Sequence, residues 1–200
     1  MVISHKYKFI FVKTSKTAGT SLEVYLSDIC GEEDVFTPIL PEVPGHRARN
    51  CEGFYNHIPA SEIRDLISRD CWEEYFKFCI ERNPWEKTLS WYSMLNKTSG
   101  PISWSEFLKS RDFPHNYFKY MDLKTDVALV DEVLYYENLN SDLDRVFKKM
   151  GVPFVGELTV KAKANYRDKK RHYREVIGKK DAAVIGRAFH KEIEMHGYTF

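Results

Sequence analysis

No apolar run in this 200-residue sequence reaches the ~20 residues that a membrane-spanning helix needs, so a transmembrane segment is not expected. The amino-terminal stretch Met1–Lys8 is polar and lacks the apolar core of a secretory signal, which points to a cytoplasmic protein. Cysteine is scarce and unpatterned. Cys30, Cys51, Cys71 and Cys79 lack the CxxC pairing of a zinc site, and a chain this long does not need disulfide staples. Reduced, mostly buried thiols are therefore expected. An excess of one charge is missing too. Thirty Lys+Arg face 29 Asp+Glu, a net charge of +1, so nothing draws the whole chain to nucleic acid or acidic membranes, and any anion site must be local. There is no internal repeat, low-complexity tract or clear linker, and no carboxylate cluster placed to hold magnesium at the loop that follows the first strand. What is present is apolar material, 43% hydrophobic and 14% aromatic, enough to bury a core and to exclude disorder.

The periodicity predicts strands alternating with helices. Tyr7–Val12 reads as a buried first strand, followed by a polar loop with one glycine and then helical spacing from Ser21 until Gly31. Residues 32–58 hold Pro38, Pro41, Pro44 and Gly45 and read as a long irregular excursion. Pro59 suits the first turn of a helix running to about Arg69. A second strand is expected over Tyr75–Ile80, then a helix over Trp85–Leu95 opened by Pro84. Short helices over 102–125, short strands at Val127–Val130 and Val133–Tyr136, an amphipathic helix at Leu139–Met150 and a last helix from about Asp181 to Met195 complete the chain. This order implies one α/β domain over residues 1–200, with a central, mainly parallel sheet flanked by helices.

The first strand, the loop Lys13–Thr20 and the hydroxyl-opened helix form a recurrent anion trap. Loop and helix N–H groups point at the ligand, the helix dipole adds partial positive charge, Thr20 and Ser21 offer hydroxyls, and Lys16 supplies a full charge. The triphosphate loop GxxxxGK[ST] is excluded, because Lys16 precedes the loop's one glycine, Gly19, by three residues. By itself the segment is also compatible with an ordinary polar turn. A second cluster follows the second strand in Arg82-Asn83-Pro84-Trp85-Glu86-Lys87-Thr88-Leu89-Ser90. Arg82 leaves the carboxyl end of its strand, where open α/β sheets bind ligands, and a guanidinium with the Ser90 hydroxyl suits a phosphate monoester. Arg82 is equally placed to pair with Glu86.

Lys16-Thr17-Ala18-Gly19-Thr20-Ser21 resembles the 5′-phosphosulfate-binding loop of sulfotransferases, and Arg82 to Ser90 resembles their 3′-phosphate-binding segment. Phe76-Lys77-Phe78 leading into Arg82-Asn83-Pro84-Trp85 is similar to the carbohydrate-type, Golgi-like and bacterial branch. So are Asn56-His57 before Pro59–Arg64, Asp131-Glu132-Val133 with Tyr136–Leu139, and the closing Gly197–Phe200. The resemblance runs through nearly the whole chain in order. Where that branch has histidine-isoleucine-proline before the loop lysine, this chain has Lys13-Thr14-Ser15, an extra cation expected to tighten phosphate binding or replace a donor contact.

The resemblance implies a P-loop nucleotide-hydrolase-like sulfotransferase fold and 3′-phosphoadenosine 5′-phosphosulfate as sulfuryl donor, with no metal. Lys16 would act at the bridging oxygen, Thr17, Ala18, Gly19, Thr20 and Ser21 at the phosphosulfate, and Arg82 and Ser90 at the 3′-phosphate. Lys163 and Arg167 would belong to a loop covering the nucleotide. Their basic stretch, Lys161 to Arg174, reads as a rim that attracts anions, with a solvated face or nucleic-acid patch as the other reading. The acceptor implied is a hydroxyl compound, a saccharide or other small molecule, and no nucleic-acid partner is expected. His57 is the candidate general base, with helix capping as its alternative role; His46 and Glu23 come next, and His115 and Asn116 are placed at the acceptor or nowhere. A small nucleotide kinase or NTPase and an inactive nucleotide- or polyanion-binding module are the competing readings.

Overall fold

Residues 1–158 and 171–200 are described by a computed structural model. They fall into two units, Met1–Glu81 with Phe118–Ala162, and Arg82–Tyr117 with Lys163–Phe200.

The first unit is built on a five-stranded sheet. Its strands are β1 (Val2–Ser4), β2 (Phe9–Val12), β3 (Val35–Phe36), β4 (Phe76–Glu81) and β7 (Glu132–Tyr135), in the order β3-β1-β2-β4-β7. β2, β4 and β7 pair in parallel, with Phe11 opposite Phe78 and Ile80 opposite Leu134. β1 runs antiparallel to both β2 and β3, so four of the five strands point the same way. A separate antiparallel pair joins β5 (Met121–Asp122) to β6 (Val127–Ala128). The four residues of β2 are completely buried, the signature of a strand covered on both faces. Phe9, Phe11, Phe78, Ile80 and Leu134 meet Leu22 and Leu26 of α1 (Gly19–Ile29) and Leu143, Val146 and Phe147 of α7 (Leu139–Met150) in one core.

The predicted first strand is shorter than expected and has a partner that the pattern did not reveal. Lys8 adopts φ 52° and the chain turns before Phe9, so Val2–Ser4 folds back as β1. Asp34 holds this hairpin to the end of α1. Its Oδ1 accepts from the N–H groups of His5 (2.7 Å) and Lys6 (3.1 Å), and its Oδ2 from the Ser4 hydroxyl (2.7 Å) and the Gly31 N–H (2.8 Å). The helix expected from Pro59 to Arg69 is two helices, α2 (Ala60–Leu66) and α3 (Arg69–Glu74), because the Ser68 hydroxyl caps a new start by accepting from the Cys71 N–H.

The second unit is helical. It contains α4 (Pro84–Thr98), α5 (Trp104–Ser110), α8 (Tyr173–Val176), α9 (Lys179–Ala188) and α10 (His190–His196); the short α6 (Tyr117–Tyr120) straddles the boundary between the units. Trp85, Leu89, Phe107, Phe113, Tyr173, Ile185 and Phe189 form its core. The single closing helix read from the sequence breaks at Phe189, whose φ of −102° and ψ of 27° leave the helical range while its ring is buried against Phe113 and His115. None of the four cysteines is in a disulfide; Cys30 and Cys79 are buried, and Cys51 and Cys71 are partly exposed.

Candidate functional site

β2 and β4 are parallel neighbours, so the loop that begins at Lys13 leaves the same, carboxyl edge of the sheet at which β4 ends with Glu81. After β2 the chain passes through two non-glycine residues in the left-handed region, Lys16 (φ 64°) and Ala18 (φ 65°). Such conformations cost of order 1–3 kcal/mol each and persist where the surroundings enforce them. Here Thr14 enforces them in part. Its hydroxyl donates to the Ile80 carbonyl of β4 and shares a hydrogen bond of 2.8 Å with the buried Thr17 hydroxyl. The Thr17 side chain therefore helps to hold the loop.

α1 starts at Gly19, two residues before the expected Ser21. Its N-cap, Ala18, makes no side-chain capping hydrogen bond, and no acidic residue lies in its first turn. The leading N–H groups of a helix have no intrahelical acceptor, so this end carries donors and partial positive charge without a built-in anion. Thr20 is partly exposed and Ser21 buried.

Lys13, the extra cation of the sequence, turns inward. It is 2% exposed, and its ammonium is engaged by Glu23 of α1, which also receives the Met1 ammonium. Glu23 is fully buried in these pairs, which bind it into the interior rather than leaving it open to an acceptor. A second lysine reaches the loop that sequence spacing did not single out. Lys119 of α6, 6% exposed, donates to the Ser15 hydroxyl at 2.6 Å. It lies in a stretch, Tyr117-Phe118-Lys119-Tyr120, with no motif to mark it.

His57 also has a positive φ, 65°. It precedes α2 without capping it: the N-cap is Pro59 and no side chain caps that end. Its Nδ1 lies 3.2 Å from the Lys13 carbonyl oxygen. A carbonyl can only accept, so Nδ1 carries the hydrogen and Nε2 keeps the lone pair. Burial, reinforced by the charges of Lys119 and Lys13, holds the imidazole down at about 2, well below the ordinary 6.5. His46 is likewise pushed below its usual value, first by burial, and packs edge-on to Phe36.

In the helical unit, Arg82 is 11% exposed and pairs with Glu86 at 3.3 Å, the arrangement anticipated beside its phosphate role. Asn83 Oδ1 caps α4 by accepting from the N–H groups of Trp85 (3.1 Å) and Glu86 (3.2 Å), and Ser90 is partly exposed on the same helix. The Thr199 carbonyl accepts from the Tyr173 hydroxyl, and Phe200 packs on Trp85 and Tyr173, which gives the closing segment a structural role. His115 and Asn116 meet Glu192 of α10: the carboxylate accepts from the Asn116 N–H at 3.4 Å and lies 3.7 Å from His115 Nδ1. Burial raises the Glu192 carboxyl, but His115 and the buried Lys87 outweigh it and hold it below its usual value. Lys163 and Arg167 lie outside the described residues. Among the described residues, no group of three or more His, Cys, Asp or Glu side chains is arranged to hold a metal, and no helix is long and apolar enough to cross a membrane.

The fold is that of the sulfotransferases. The crystal structure of mouse sulfotransferase SULT7A1 complexed with PAP is similar over 98% of this chain and 87% of the mouse chain, with a TM-score of 0.55 and 13% sequence identity. An uncharacterized protein of Archaeoglobus fulgidus is 36% identical over 121 residues, 55% of this chain and 98% of the archaeal one. This chain belongs to the same family as that protein, whose name carries no activity. No protein-family model matches the sequence.

Proposed function

We propose that the chain is a sulfotransferase that moves a sulfuryl group from 3′-phosphoadenosine 5′-phosphosulfate to a hydroxyl acceptor, of the carbohydrate class, and that its two units are parts of one sulfotransferase domain. The observation that carries this reading is the strained loop after β2 delivering an uncapped helix end, free of first-turn carboxylates. The similarity to a sulfotransferase solved with PAP, over 98% of the chain, supports it. A reducing, cytoplasmic setting suits cysteines that form no disulfide.

In this reading the N–H groups from Thr17 to Ser21 receive the 5′-phosphosulfate and Lys16 stabilises the bridging oxygen as the S–O bond breaks. Arg82 and Ser90 hold the 3′-phosphate, and Lys163 and Arg167 cover the nucleotide. Sulfuryl transfer, like phosphoryl transfer, then depends mainly on alignment and fixed charge. His57 accepts the acceptor's proton at Nε2, the nitrogen left open by the Lys13 carbonyl. The negative charge of a donor at the loop would oppose Lys119 and Lys13 and raise the basicity of that nitrogen.

Calorimetry tests the donor assignment. Adenosine 3′,5′-bisphosphate should bind without magnesium and at least tenfold more tightly than AMP or ATP. Equal affinity for AMP would remove Arg82 and Ser90 from the 3′-phosphate, and a magnesium-dependent preference for ATP would replace the reading with a kinase.

A further inference from the structure

We infer that Lys119 is a positioning residue of the anion site: its buried ammonium ties the loop to α6 through Ser15 and sets a fixed positive charge beside the loop and His57. The inference deepens the sulfotransferase reading and rests on it for the identity of the ligand. Its ground is geometric. Lys119 Nζ lies 2.6 Å from Ser15 Oγ, one residue before the left-handed Lys16, so the contact acts where the loop is strained.

α6 is itself fixed. The Tyr120 ring is fully buried, its hydroxyl lies 3.2 Å from Glu81 Oε2 at the end of β4, and its carbonyl accepts from the Leu129 N–H at 2.8 Å. A lysine on so constrained a segment cannot swing away with the freedom of a surface side chain. Burying an ammonium is costly, and a core position would be served better by an apolar side chain. Its charge at this spot has a use if an anion binds there. The charged groups that act on the imidazole of His57 are Lys119 from α6, Lys13 just after β2 and the Met1 ammonium just before β1, all cationic, and the hydrogen bond to the Lys13 carbonyl works against them. Lys119 is the strongest of the three.

The experiment compares wild type, Lys119→Met and Lys119→Arg in the full chain. Two readouts are taken: calorimetric affinity for adenosine 3′,5′-bisphosphate, and the NMR pH titration of the His57 imidazole. Loss of one charge-assisted contact corresponds to roughly tenfold or more in affinity. Lys119→Met should show that loss and a His57 titration displaced to higher pH. Lys119→Arg should keep most of the affinity and leave His57 where it was. An unchanged affinity in Lys119→Met, or an unmoved His57, overturns the inference. A wild-type chain that binds no bisphosphate defeats the donor assignment instead, and the His57 titration then decides the role of Lys119. If Lys119→Met does not fold, Ser15→Ala removes the tie and keeps the ammonium; it should weaken the bisphosphate several-fold, and full affinity there overturns the inference.

Discussion

Gly19 is the position where one added methyl group tests how the loop is built. A Cβ on Gly19 would lie 2.9 Å from Lys13 Cγ, 3.4 Å from Lys13 Cε and 3.5 Å from Phe11 Cζ. In an exposed helix, Gly→Ala is worth up to about 1 kcal/mol in favour of the alanine. Here the methyl meets the middle of a lysine stem that is 2% exposed and pinned at its far end by Glu23. The stem cannot yield without moving the ammonium. Overpacking of this kind costs about 1–3 kcal/mol, and losing a partner of a buried pair about 3–5 kcal/mol. A partial shift of Lys13 therefore gives a net loss of roughly 1–3 kcal/mol, or about 2–12 °C in Tm for a chain of this size. Thermal or urea unfolding of Gly19→Ala measures it, and a cycle with Lys13→Ala assigns it. In the Lys13→Ala background the space is open, so the same methyl should cost nothing or stabilise. A Gly19→Ala chain as stable as wild type, or an equal cost in both backgrounds, would refute the proposed jam against Lys13.

Two further perturbations test the carboxylate that ties the first hairpin and the candidate base. Asp34→Ala would orphan three N–H groups and the Ser4 hydroxyl, a loss of about 3–6 kcal/mol by urea unfolding. Burial raises the Asp34 carboxyl, but those four donors outweigh it and hold it below its ordinary 3.8. Its stability contribution is therefore present above pH 4 and is lost as pH falls through the lower native value; a flat acid limb would contradict it. For His57 the native value of about 2 lies under the ordinary 6.5, so below pH 6.5 the unfolded chain binds the extra proton. Stability should fall by ~1.4 kcal/mol per pH unit between pH 6 and 4, and His57→Gln should remove that slope. An identical slope in the variant would show that His57 is not buried in its neutral form.

The elements that carry the site were legible wherever local pattern and tertiary role coincide. Phe9–Val12 is a continuous apolar run and Phe76–Glu81 a mostly apolar one, interrupted by Lys77, because both faces of their strands are largely covered, and α7 begins and ends where its amphipathic spacing does. The order strand, lysine loop, helix and the Arg82–Ser90 segment were likewise readable, since backbone donors and a guanidinium suited to an anion follow from residue type and spacing.

Other features depend on contacts distant in sequence. Val2–Ser4 is too short to announce a strand and becomes one by pairing with β2 and β3. The break at Phe189 follows from burial of its ring against Phe113 and His115, a partnership that helical spacing does not encode. The sequence alone therefore determined the α/β alternation and the residue types of an anion site. The tertiary structure decided which cations belong to it, sending Lys13 inward to Glu23 and bringing Lys119 to Ser15 across 104 residues. The physical reason is that a charge acts according to its distance and burial, and both are set by packing rather than by neighbours along the chain.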